Sequence, residues 1–326
     1  MILDVAEKFR MPIQRLAAVE DCFRDTAVAI TGATGFIGAH LAARLCELGA
    51  RVHGMARSKH ELVHPRYRSH ELDLRDYAAV KARIKEIAPD YVFHLAGHVT
   101  GAFDLQQVIP AFESNLASSV HVLTACAETG TGAKRVILTG SLVEPLPGEL
   151  ETVPSSPYAA AKWASASYAR MFHALYRLPT NIARVFMVYG PAQRDETKLV
   201  PYVVRSLLLG EVPKITSGQR LIDWVYVADV VEGFLAIAST SGIEGQSVDL
   251  GSGQLISTRD LVLKIAGLIR GSAAPQFGAL PDRPMEPCRT ADVALAFQQT
   301  GWRPSVSLDQ GLAVVIANYR DRLPRR

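Results

Sequence analysis

The chain has 326 residues, is 48% hydrophobic and carries a formal net charge of +3, enough core-forming material for one large domain or a main domain with a smaller lobe. So small a charge, with Lys and Arg dispersed, argues against a nucleic-acid surface, and no stretch approaches the roughly 18 to 20 apolar residues of a membrane span. Cys22, Cys46, Cys126 and Cys288 are scattered without a CxxC pair or a histidine cluster, so neither a metal site nor a redox pair is expected, and free thiols in a reducing, cytoplasmic compartment are.

Residues 1–25 form an extension ahead of the first strand. Asp4, Glu7, Lys8 and Arg10 interrupt any signal-peptide core, while Ile2, Val5, Phe9, Ile13, Leu16 and Val19 recur at helical spacing and predict an amphipathic helix. From residue 26, short apolar strands alternate with longer helical stretches. Ala27-Val28-Ala29-Ile30 is the first strand, a helix is predicted over about 36–48, and Arg51 to Met55 is the second strand. Tyr91 to Leu95, Arg135 to Leu138 and Asn181 to Val188 continue the series, with helical stretches at 105–129 and 157–177. This rhythm predicts an α/β fold, a Rossmann-type doubly wound parallel sheet covered on both faces. Beyond residue 190, prolines from Pro191 to Pro304 puncture the pattern and predict a small lobe. The predicted division is 1–25 as extension, 26–190 as dinucleotide-binding domain, and 191–326 mainly as lobe with some chain returning to the core.

Gly32-Ala33-Thr34-Gly35-Phe36-Ile37-Gly38 lies between the first strand and the first helix. There Gly32 permits a tight turn, Gly35 lets the backbone approach a pyrophosphate, and Gly38 allows close helix–strand packing. The helix N-terminus adds free N–H groups and the positive dipole end. At the end of the second strand, where an NAD enzyme places Asp or Glu for the adenosine ribose, stands Ala56, followed by Arg57, Ser58 and Lys59. A guanidinium can grip a 2′-phosphate bidentately, so NADP(H) is expected rather than NAD. Tyr158 and Lys162 lie one helical turn apart and share a face. A nearby ammonium is expected to pull the tyrosine hydroxyl toward neutrality and make it a proton carrier.

The GxxGxxG spacing and the TGATGFIG wording resemble the extended short-chain dehydrogenase/reductases, over about Ala27 to Tyr319. The resemblance implies that Asp73 and Leu74 hold the adenine ring, and that Leu95-Ala96-Gly97 forms the turn under the adenosine side. Thr139-Gly140-Ser141 ends the strand ahead of YxxxK, so Ser141 would hydrogen-bond the substrate oxygen, with Thr139 beside the cofactor. Lys162 would also hold the nicotinamide ribose. Downstream, Arg184 to Pro191, Asp223 to Val230, Arg283-Pro284 and Gly301 to Pro304 resemble segments of the nucleotide-sugar epimerases, dehydratases and reductases. This implies a substrate-binding lobe, with Met187, Arg220 and Arg283 at a nucleotide-sugar substrate and Arg283 on its diphosphate.

Met187 replaces the family's asparagine, Ile222 replaces an arginine, and Leu142-Val143 replace the dehydratases' acidic pair. Glu144, one residue later, reads as a loop carboxylate. The function expected is NADPH-dependent reduction of a nucleotide-linked 4-keto-6-deoxy sugar, with Tyr158 as general acid. The alternatives are a nucleotide-sugar 4-epimerase with bound NAD, and a non-catalytic NADP(H) sensor. A homodimer through the helical stretches at 105–129 and 157–177 is also expected.

Overall fold

The structure is a computed structural model that describes residues 19–58, 62–145, 152–269, 273–282 and 287–323. Most of the predicted N-terminal helix, together with Lys59, Arg283 and Pro284, lies outside them.

The main sheet has seven strands, all parallel: β1 (Ala27–Thr31), β2 (Arg51–Ala56), β3 (Tyr67–Glu71), β4 (Tyr91–His94), β5 (Arg135–Ser141), β6 (Thr180–Val185) and β9 (Ser247–Leu250). Their spatial order is β3-β2-β1-β4-β5-β6-β9. The chain winds outward from β1 to β3 and then crosses to β4 on the other side. A crevice therefore opens at the carboxyl ends of β1 and β4, the switch point where doubly wound sheets bind ligands. The polar β3, with two of its five residues exposed and none buried, escaped the apolar-run reading, because an edge strand has no need of two buried faces.

Both faces of the sheet are covered. Along β1, Val28 and Ile30 point to one side with Leu41 and Leu45 of α1 (Phe36–Glu47) and with Phe234, whereas Ala29 points to the other. That second side is filled from α2 (Tyr77–Ile87), α3 (Ser118–Glu128) and α4 (Pro157–Tyr176) by Val80, Ile84, Leu123 and Phe172. The period-two alternation is the pleat itself. Val19 and Phe23, the described end of the predicted extension, are buried, with the Phe23 ring 4.9 Å from that of Tyr91.

The predicted strand 181–188 is two strands. After β6 the Phe186 N–H still donates to Leu250 O (3.0 Å), but β7 (Met187–Tyr189) pairs with β8 (Leu221–Tyr226), and β8 with β10 (Leu255–Ser257), in a second, three-stranded sheet. A mainly apolar run cannot reveal that its two halves belong to different sheets. α5 (Leu199–Leu208), α7 (Thr258–Leu268) and α9 (Leu308–Arg322) contribute Val203, Leu261 and Leu312 to a separate core around Trp224 and Tyr226. α6 (Val227–Ser239) and β9 return to the main sheet, and α8 (Val293–Thr300) packs near β9.

The predicted 105–129 helix is also interrupted. A short turn, Val108–Ala111, runs into a π-helical segment, Phe112–Ala117, before α3 begins. Pro110 withholds a backbone donor there, and further along the Asn115 carbonyl accepts from the hydroxyls of Ser119 (2.6 Å) and Ser165 (2.8 Å).

Candidate active site

The glycine turn sits at the crevice mouth. Gly32 has φ +70°, and a Cβ on it would lie 2.7 Å from Ala96 N, so the turn and the end of β4 touch backbone to backbone. Gly35 caps α1 without a side-chain acceptor and is exposed, as a helix end awaiting an anion requires; Gly38 is buried one turn further on. Thr34, Phe36 and Ile37 are half-buried beside it. A Cβ on Gly97 would meet the Asn115 Oδ1 at 2.5 Å. That amide clamps the His98 main chain, accepting from its N–H (3.0 Å) and donating to its carbonyl (3.1 Å).

Arg57 and Ser58 are exposed at the end of β2, and Ala56 is half-buried. The Asp73 carboxylate is engaged by Arg75, with Nη2 on Oδ2 at 2.6 Å and Nε on Oδ1 at 3.0 Å. These hydrogen bonds, and more weakly the charges of Arg75 and Arg57, hold Asp73 at about 2. Leu74 is buried, and its carbonyl accepts from the His121 ring (2.8 Å). Leu95 and Ala96 line the turn against Gly32.

Three predicted residues converge at the end of β5. Ser156 caps α4 by accepting from the Ala159 N–H (3.2 Å), with Pro157 opening the helix. This sets Tyr158 and Lys162 on one face above Ser141. The Ser141 hydroxyl is close enough to that of Tyr158 to favour its ionised form. The Lys162 Nζ donates to the Thr139 carbonyl (2.9 Å) and lies 5.9 Å from the Tyr158 ring centroid. So Thr139 serves Lys162 through its backbone, while its buried Oγ1 has no partner among the described residues.

The electrostatics differ from expectation. Burial pushes the Tyr158 hydroxyl up to about 12; the Ser141 hydrogen bond opposes this and the Glu144 carboxylate adds to it. Burial lowers the Lys162 ammonium to about 8, against the pull of Glu144. In the protein alone, desolvation outweighs the help that Lys162 was expected to give Tyr158.

Glu144 is not a loop carboxylate in water. It is 1% exposed, and its Oε1 accepts from the Ser141 N–H at 2.7 Å. Sequence reasoning missed its role, as it missed Asn115 and Arg184. For Glu144 and Arg184 the available signal was a charged residue in or next to an apolar stretch, Leu142-Val143 before Glu144 and Ile182 to Phe186 around Arg184; Asn115 carried no such signal.

The lobe residues are less concentrated. Met187 is half-buried opposite Trp224, and Arg220 is half-buried ahead of β8, its carbonyl accepting from the Thr258 N–H (2.9 Å). Arg283 falls outside the described residues. Two of the downstream motifs, Asp223 to Val230 and Gly301 to Pro304, act as staples. Asp223 accepts from Ser252, Gly253 and Ala291 N–H groups, and Asp229 from those of Ser305 and Val306. The Trp302 indole donates to the Asp229 carbonyl (2.9 Å).

No group of three or more potential metal-ligating side chains occurs among the described residues, and none of their helices is long and apolar enough to cross a membrane.

The glycine cradle, the exposed helix start, and the half-buried Tyr158 beside buried Ser141 and Lys162 together fit a nicotinamide dinucleotide. Comparison with known proteins agrees. A UDP-glucose 4-epimerase of Mycolicibacterium smegmatis is 30% identical over 312 residues, covering 90% of this chain and 98% of that enzyme. The UDP-glucose 4-epimerase of Thermotoga maritima, solved with UDP-glucose, superposes with a TM-score of 0.82 at 26% identity, covering 91% of this chain and 99% of that one. That of Thermus thermophilus, solved with NAD, gives 0.78 at 27% identity, with 91% and 99% covered. The model of the NAD-dependent epimerase/dehydratase family matches residues 28–251. The chain belongs to that family and is a nicotinamide-dinucleotide enzyme of the extended short-chain dehydrogenase/reductase type.

Proposed function

We propose that the protein is a nucleotide-sugar 4-epimerase working with a resident nicotinamide dinucleotide. The observation that carries this reading is the meeting of Ser141 and Tyr158 beside a buried Lys162, which is held at 2.9 Å by the Thr139 carbonyl at the end of β5. Full-length similarity to UDP-glucose 4-epimerases supports epimerisation over the 4-keto reduction expected from the sequence. When bound, the dinucleotide supplies the hydride acceptor and donor at the sugar carbon. Tyr158 takes the proton from the sugar hydroxyl and returns it after the intermediate has turned, Ser141 orients that oxygen, and Lys162 balances the phenolate charge. Leu142 and Val143 pack into the main core and offer no acid for eliminating water, which speaks against a dehydratase. Met187, Arg220 and Arg283 are the candidate contacts to the nucleotide sugar.

A second reading has one observation in its favour. Ala56 stands where an acid would select NAD, with Arg57 and Ser58 exposed beside it, favouring NADP(H) and net reduction of a nucleotide-linked 4-keto-6-deoxy sugar. The NAD bound in the Thermus thermophilus relative supports the epimerase instead. Incubation with UDP-glucose, UDP-glucuronate and a 4-keto-6-deoxy nucleotide sugar, following the reduced nicotinamide absorbance and product stereochemistry, separates the two. Interconversion without net consumption of NAD(P)H supports the epimerase; stoichiometric oxidation of NADPH overturns it in favour of the reductase. We also place the protein in the reducing cytoplasm as a homodimer, paired through the exposed Leu105, Ile109 and Phe112 and α4; a monomeric mass by light scattering would refute the pairing.

A further inference from the structure

Glu144 is a buried acid that the reaction just described does not use. Its carboxylate sits directly beneath the Ser141 turn. One oxygen accepts from the Ser141 N–H (2.7 Å), and the Glu144 N–H returns a bond to the Ser141 carbonyl (3.0 Å). The space for this carboxylate exists because residue 140 is glycine, where a Cβ would stand 2.5 Å from Glu144 Oε1. The other oxygen, Oε2, has no hydrogen bond among the described residues and lies 3.9 Å from the Arg184 Nε. Arg184 in turn holds Asp249 (2.7 Å). The Arg289 guanidinium donates to the Glu144 carbonyl, tying the loop ahead of α8 to the same turn. Removing a carboxylate from water costs several kcal/mol unless partners compensate. One backbone N–H and one distant guanidinium compensate incompletely, consistent with Glu144 titrating above the usual carboxylate range through burial.

We propose that Glu144 is a positioning residue for the Ser141–Tyr158 hydroxyl pair. It pins Ser141 through the backbone, and its negative charge, countered by Arg184, sets the field in which Tyr158 loses and regains its proton beside Lys162. The charged and titratable groups facing it are Arg184 and Asp249 from β6 and β9, Tyr158, Lys162 and Arg170 from α4, and Arg289 from the loop before α8. A negative charge near Tyr158 disfavours its phenolate and so opposes the proton transfer. The arrangement thus trades some reactivity for a fixed Ser141.

The inference deepens the proposed epimerase and rests on Tyr158 being its proton carrier. Glu144→Gln keeps the shape and the acceptor for Ser141 N–H but loses the charge, whereas Glu144→Leu loses both. In the holoenzyme, the acid limb of the kcat–pH profile is expected to move about half a unit or more to lower pH in Glu144→Gln, with KM within about twofold. Glu144→Leu is expected to lose about tenfold or more in kcat at every pH. Tyr158 ionisation is read separately, from the tyrosinate absorbance difference between each protein and its Tyr158→Phe version with saturating NAD. This signal needs no sugar, so it tests Glu144 even if no nucleotide sugar turns over, which would instead refute the epimerase. A Tyr158 titration unmoved in Glu144→Gln overturns the proposal. So does a kcat loss in both variants that matches their loss of folded protein by circular dichroism.

Discussion

Replacing Lys162 by Met is expected to make the protein more stable while abolishing turnover. The Lys162 side chain is 4% exposed, and burial lowers its ammonium from 10.5 to about 8. A cation with a depressed folded pKa carries a penalty that is fully present below that pKa and shrinks as pH rises toward the unfolded value. Some 2.5 units at about 1.36 kcal/mol each make about 3 kcal/mol at pH 7. Methionine fills a similar volume without charge but loses the bond to the Thr139 carbonyl, which costs about 1 kcal/mol. The net gain is about 2 kcal/mol at neutral pH, closing and changing sign near pH 10 or so. Denaturant melts of the dinucleotide-free wild type and Lys162→Met at pH 7 and pH 10 measure both ends. A variant less stable than wild type at pH 7, or a difference that ignores pH, would refute a buried, desolvated ammonium.

Tyr158→Phe is expected to keep dinucleotide affinity by fluorescence titration while turnover drops about 10²-fold or more; near-normal turnover would remove Tyr158 from its role. Gly97→Ala drives a methyl to within 2.5 Å of the Asn115 Oδ1 and is expected to cost about 1–3 kcal/mol in denaturant melts and to weaken dinucleotide binding; unchanged melts and binding would show that the Asn115 clamp yields freely. Arg57→Asp is expected to shift preference from NADPH toward NADH by about 1.5 kcal/mol or more, read as the ratio of dissociation constants; an unchanged ratio would mean that Arg57 points into water.

The parts of this protein that a reader could find in the bare chain are the ones built from near neighbours. TGATGFIG after an apolar strand and Tyr158 four residues before Lys162 need only the geometry of a turn and of one helical turn, and the structure puts both at the crevice. The alternation of strands and helices likewise foretold a covered parallel sheet, since burial on both faces demands continuous apolar runs. What the chain could not disclose depends on partners far apart in sequence. Asn181–Val188 looks like one strand, and only the pairing of Met187 with Trp224 and of Arg184 with Asp249 sends its two halves into different sheets. Glu144 looks like a solvated loop acid until β6 and α4 close around it. The proton affinity of Tyr158 turns on how much water the assembled fold excludes, because desolvation is a property of the whole surrounding shell and not of the four residues separating a tyrosine from a lysine.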